Sequence, residues 1–245
     1  MADKFYAKSP GNNGYIKNLE VCSFNDMDKK AGMFQMALYK TEEGRYYLYG
    51  SCFGGTEVGV QISEVTDPYN PRFVKHFDLF DPEEYPTTSC PKIQVAEDLM
   101  ICALTAGSGP DALVGQSELA NIKCLVGIQI YSLKNDPENP EFLGYWDCGC
   151  PHSIGVHRFM YNGGPYVYLS CEHERFEGMI MRIVDISDPK NPKEVGNWWS
   201  PEQFVDGYPG RTVDHSAPHV PSFMDKGWMH GPPFRRDDGI MFCGY

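Results

Sequence analysis

The chain has 245 residues, 42% of them hydrophobic and 22% charged, which suffices for a folded core and argues against wholesale disorder. A formal charge of −12 argues against nucleic acid as a partner, because phosphate binding needs a basic face. Residues 1–6 lack the apolar core of a secretory signal, and nowhere does an apolar run reach the length of a membrane helix. The composition therefore predicts a cytoplasmic protein with no membrane association.

In chain order, the first predicted element is a lone outer strand at Tyr15 to Val21, inside an N-terminal segment, 1–30, placed to close the fold. Two alternating strands follow, around Met33 to Leu38 and Tyr46 to Cys52. Next comes a motif that occurs three times: an alternating strand, an Asp-Pro-x-Asn-Pro turn and a second strand. Its copies run from Gly59 through Asp67-Pro68-Tyr69-Asn70-Pro71 to Val74, from Gly127 through Asp136-Pro137-Glu138-Asn139-Pro140 to Leu143, and from Met181 through Asp188-Pro189-Lys190-Asn191-Pro192 to Val195. Proline fixes φ and gives no ladder donor, while Asp and Asn bond their own backbone, so the chain must reverse there. After each outer strand stand Cys90-Pro91-Lys92, Cys150-Pro151-His152 and Ala217-Pro218-His219, each followed by apolar strands. Each proline is read as the start of an innermost strand. A unit therefore has four strands, and the fold predicted is an all-β propeller of four-stranded antiparallel blades. Three are complete, at 31–80, 91–148 and 152–200, and a partial fourth spans 218–245. The region 107–123 reads as an insertion holding a short helix.

The segment Met181-Arg182-Ile183-Val184-Asp185-Ile186-Ser187-Asp188-Pro189 resembles the signature of LVIVD-repeat propellers, and the copies at Gln61 and Gln129 keep its spacing. The resemblance covers the chain from about residue 30 onward and implies a β-propeller, without a specific activity. A more distant similarity is to selenium-binding-protein propellers, which have a histidine-rich, metal-binding centre; it serves as analogy alone.

The fourth blade lacks outer strands and their turn. The sequence thus predicts a second chain, the same or different, that completes the ring, against the alternative of a small ring closed on itself. The nine cysteines read as reduced thiols packed as small core residues, with Cys148 and Cys150 spaced to allow a metal or redox role.

Six of seven histidines follow residue 150. His152, His173, His219 and His230 fall at predicted blade mouths and are the candidate ligands of a divalent transition metal ion: zinc, iron, manganese or copper. His230, Glu172 and Lys92 are the candidate acid–base groups, with Asp214 and Glu174 as nearby carboxylates. Arg175, Arg211, Trp228 and Arg235 are candidates for binding a small organic substrate bearing a carboxylate or phenol, beside Arg236 and the aromatics Trp198, Trp199, Tyr208, Phe223 and Phe234. His76 and His157 read as structural. Asp214-His215-Ser216 lacks the elbow a serine nucleophile needs. The function predicted is a metal-dependent propeller enzyme with the reaction open among lyase, isomerase, hydrolase and oxidoreductase. The alternative is a non-catalytic scaffold for protein or ligand binding.

Overall fold

A computed structural model describes residues 22–29, 33–52, 59–106, 123–149, 154–204 and 229–244. These residues are almost entirely strand and turn. The first antiparallel sheet holds β1 (Met33–Lys40), β2 (Tyr46–Cys52), β3 (Gly59–Glu64) and β4 (Arg72–Asp78), in chain order. The second holds β5 (Thr88–Ala96), β6 (Leu99–Ala106), β7 (Gly127–Ser132) and β8 (Glu141–Asp147). The third holds β9 (Val156–Met160), β10 (Tyr166–Glu172), β11 (Met179–Asp185) and β12 (Lys193–Trp198). A two-stranded hairpin, β13 (Phe234–Arg235) and β14 (Met241–Phe242), follows. The predicted outer strand at Tyr15 to Val21 and the helix in 107–123 lie outside the described residues.

The three Asp-Pro-x-Asn-Pro turns use one set of bonds. Asn70, Asn139 and Asn191 each donate through the backbone to the carbonyl of Asp67, Asp136 and Asp188. Each Asn side-chain amide also donates to the carboxylate of the same aspartate, at 2.7, 2.7 and 2.8 Å. The other carboxylate oxygen takes the backbone N–H two residues on. The aspartate thus ties off the donors that a reversing chain would leave to water.

The repeat reaches the bulges too. The ladder between third and fourth strands slips at Ile62/Ser63, Ile130/Tyr131 and Ile183/Val184, and between first and second strands at Met33/Gln35, Ser89/Lys92 and Ser170/Cys171. Pro91 therefore sits inside β5, at its bulge, instead of beginning the strand; a bulge is one of the few strand sites that tolerate a missing N–H. Gly127, at φ 138°, opens β7 where a Cβ would stand 1.9 Å from the Trp146 carbonyl oxygen.

Alternating side chains of the second sheet go to two cores. Met100, Cys102 and Leu104 pack with Tyr47, Tyr49, Val60 and Ile62 of the first sheet. Ile101, Ala103, Ile128 and Ile130 pack with Phe159, Val167, Leu169 and Val184 of the third. Buried on both faces, β6 reads as a continuous apolar run where a half-buried strand would alternate. The turn of the second sheet is held by the first, since the Tyr49 hydroxyl donates to the Pro137 carbonyl at 2.7 Å. The first strands lie side by side, β1 by β5 and β5 by β9. Side-chain amides bridge them: Gln35 accepts from the Ile93 N–H, and Gln94 donates to the Phe159 carbonyl while accepting from the Tyr161 N–H.

Cys52, Cys90, Cys102, Cys148 and Cys171 are buried and in no disulfide; Cys124 and Cys243 lie outside strands and are half-buried. No described helix is long and apolar enough to cross a membrane.

Candidate functional site

Strand register defines the site. Ser51, Ala103 and Ser170 are equivalent positions on the three second strands, each one residue beyond the partner of the third-strand residue Gln61, Gln129 or Arg182. Their first-strand partners are Gln35, Lys92 and Arg158. One polar position on three adjacent first strands therefore carries an amide, an ammonium and a guanidinium. The bulges stand just before these positions and contain Phe34, the Cys90-Pro91 pair and His157.

Lys92 is 5% exposed, and its Nζ lies 3.6 Å from the centre of the Phe34 ring. No described acid pairs with it. Burial and, next, the Arg158 guanidinium hold its pKa down at about 8, with the Cys90 thiol opposing weakly. Arg158 likewise has no described counter-ion, and its Nε is buried without a hydrogen-bond partner among the described residues. Arg158 as a residue is half-buried, but a buried side-chain N–H normally has an acceptor, so this Nε has a bond to spare. The His157 ring lies 4.9 Å from the His230 ring. Burial and then His230, Arg158 and Lys92 push the His157 imidazole down to about 4, which leaves it neutral at pH 7. The segment bearing His230 is anchored through Met229, whose N–H donates to the Met179 carbonyl and whose own carbonyl accepts from the Ser170 hydroxyl.

Of the residues singled out from sequence, Lys92 and His230 meet in this cluster, together with His157 and Arg158. His157, read from sequence as structural, is the link between them. The Pro-Lys and Pro-His strings made His152 the counterpart of Lys92, whereas ladder register makes Arg158 the counterpart. Aligning the copies backward from the Asp-Pro turns through the third strands would have found Arg158. His152, His219, Arg211 and Trp228 lie outside the described residues, as do Asp214, Tyr208 and Phe223.

The remaining candidates sit elsewhere. The His173 ring packs edge-on to Phe176 at 5.2 Å, its Nδ1 accepts from the Arg175 N–H, and burial lowers its pKa. Phe176 stacks on Trp199 and Phe204, and the Arg175 guanidinium lies over Phe204. Glu172 is buried, with one carboxylate oxygen accepting from the Ile154 N–H at 2.8 Å. Arg235 is exposed on β13, and Arg236 pairs with Asp238 at 2.6 Å. Among the described residues no three His, Cys, Asp or Glu side chains gather as a metal ion would need.

Comparison with models of protein families gives no match, and no curated protein is significantly similar in sequence.

Proposed function

We propose that the chain is a β-propeller of the LVIVD-repeat type, its four-stranded sheets forming blades with β1, β5 and β9 around the axis. In this reading the axial site binds the carboxylate of a small organic molecule and acts on that molecule by acid–base chemistry. The observation that supports it is the convergence of Lys92 and Arg158, two cations without described counter-ions, beside His157 and His230. In a protein of charge −12, two adjacent uncompensated cations cost energy unless an anion joins them. Arginine supplies a fork matched to a carboxylate, lysine a point charge, and the neutral imidazole a proton acceptor within the same cluster.

These charges suit an anion better than a divalent metal ion, which Lys92 and Arg158 would repel, so the reaction is assigned no step through a metal. Metal held by His152, His173, His219 and His230 is a separate matter for elemental analysis of the purified protein. The test of the anion site is calorimetry with small carboxylates against their neutral amides. Carboxylates bind, salt weakens them, and Arg158→Gln, which installs the side chain that Gln35 presents in the first sheet, costs tenfold or more in affinity. Equal affinity for amides and carboxylates refutes the site and leaves a binding scaffold as the function.

We also infer that a second copy completes the ring. The outward face of β1 exposes Phe34, Met36 and Leu38, and the β13–β14 hairpin exposes Phe234, Ile240 and Phe242. Contiguous apolar side chains of this size at the two ends of a series of packed sheets suit each other as partners.

A further inference from the structure

Resting on the anion reading above, we propose that the Lys92 amine forms an imine with the carbonyl carbon of a 2-oxo acid whose carboxylate is held by Arg158. Three features of the site support this assignment. Lys92 is buried on a strand, not carried on a mobile loop, so its Nζ is held in place by the backbone of β5. No described acid pins it as an ammonium, and the Phe34 ring covers it on one side. Arg158 stands at the same register on the neighbouring first strand, so a carboxylate on its guanidinium brings the adjacent carbonyl toward Lys92.

The depressed pKa adds to this geometry. With the ammonium at about 8, roughly a tenth of the amines are free base at pH 7, against about three in ten thousand for an ordinary lysine. The nitrogen lone pair forms the C–N bond while the carbonyl π pair moves to oxygen. A proton passes from nitrogen to that oxygen to give the carbinolamine, with neutral His157 as the carrier within the cluster. Loss of the hydroxyl as water then forms the C=N bond, so amine and ketone give imine and water with no change of oxidation state. The protonated imine keeps the positive charge that Lys92 carried and draws electrons from the adjacent carbon.

The experiment uses the unmodified protein with pyruvate and sodium borohydride, followed by peptide mass mapping. One reduced pyruvate adduct is expected, on the peptide containing Lys92, with the exposed lysines Lys40, Lys134 and Lys193 unlabelled. Excess lactate, which has the carboxylate but no ketone, should slow labelling, and Lys92→Arg should abolish it. No adduct, or adducts spread over surface lysines, while calorimetry still detects pyruvate and lactate binding, overturns the imine and leaves the anion site standing. If neither compound binds, both proposals fail.

Discussion

Replacing Arg182 with Gln gives the third strand of the third sheet, β11, the residue that the other two sheets carry there, Gln61 and Gln129, and should nonetheless destabilise the protein severely. The Arg182 side chain is 6% exposed. One terminal nitrogen donates to the carbonyls of Cys148 and Glu172 at 2.7 and 2.8 Å, and the other side of the fork holds the Glu194 carboxylate. The guanidinium also lies 4.7 Å from the Trp146 ring centre. Glutamine has one NH2 group and can keep at most part of this set. A buried carbonyl left without its donor costs about 1–3 kcal/mol, and losing the cation over the indole costs about 1 more. Glu194 is partly exposed, so water screens its loss of partner and it adds about 1 kcal/mol or less. Together these give about 2–5 kcal/mol, overlapping the roughly 3–5 kcal/mol for breaking a buried ion pair from one side.

For a chain of this length each kcal/mol moves the melting temperature by about 2–4 °C, so Arg182→Gln should melt roughly 10 °C below the parent. Circular dichroism melts of the parent, Arg182→Gln, Glu194→Gln and the double variant close a cycle in which the two changes couple by about 0.5–1 kcal/mol. Arg182→Gln melting within about 2 °C of the parent would refute the account of Arg182 as a joint between the second and third sheets, and additive changes would refute its pairing with Glu194.

Carboxylate affinity at the proposed Lys92–Arg158 site should fall as pH rises through about 8, because Lys92 loses its charge there, and Lys92→Arg should remove that fall. The Asn amides hold Asp67, Asp136 and Asp188 below the ordinary aspartate value of 3.8. Their stabilisation is complete above that value and lost as pH falls below it, so acid melts of the parent and of an Asn70, Asn139 and Asn191→Ala variant should converge below it. Tyr39→Phe, which removes a 2.7 Å bond from the first sheet to Asp98 in the β5–β6 turn, should cost about 1–2 kcal/mol in urea unfolding. Asp98→Asn, which keeps an acceptor and tolerates the φ of 62°, should cost less than about 1. Native mass spectrometry should give a dimer of the 27.7 kDa chain, and Met36→Lys with Leu38→Lys should give monomer.

Much of the architecture was legible because its signals are local. The Asp-Pro-x-Asn-Pro turns carry their own hydrogen bonds, and alternating apolar residues on either side must become paired strands. The site was less legible because it depends on register across strands. A bulge in each first strand shifts which residue faces its neighbour, and nothing adjacent in sequence records the shift. Pro91 and Lys92 suggested a counterpart at Pro151 and His152, yet a longer stretch separates that proline from β9, and Arg158 takes the position. The pairing of His157 with His230 spans most of a sheet and a long connection, which no local pattern encodes.

The three sheets serve as one another's controls. Residues that build the repeat are alike in every copy: the turn Asp and Asn, the isoleucine that opens each third-strand bulge, the small second-strand positions Ser51, Ala103 and Ser170. Backbone geometry needs these wherever the unit occurs, so their recurrence carries no functional information. The first-strand position changes from Gln35 to Lys92 to Arg158 while its register stays the same. A fold that needed only a polar side chain there would be satisfied by the uncharged amide, which makes a backbone bond to the next strand at no cost in buried charge. Charge at two of three equivalent sites is therefore unexplained by architecture. Arg182 differs from Gln61 and Gln129 in the same way, but its cation is paired with Glu194 and bonded to carbonyls, a structural use. Lys92 and Arg158 have no such described partners, and that difference separates a charge that holds sheets together from charges placed for a ligand.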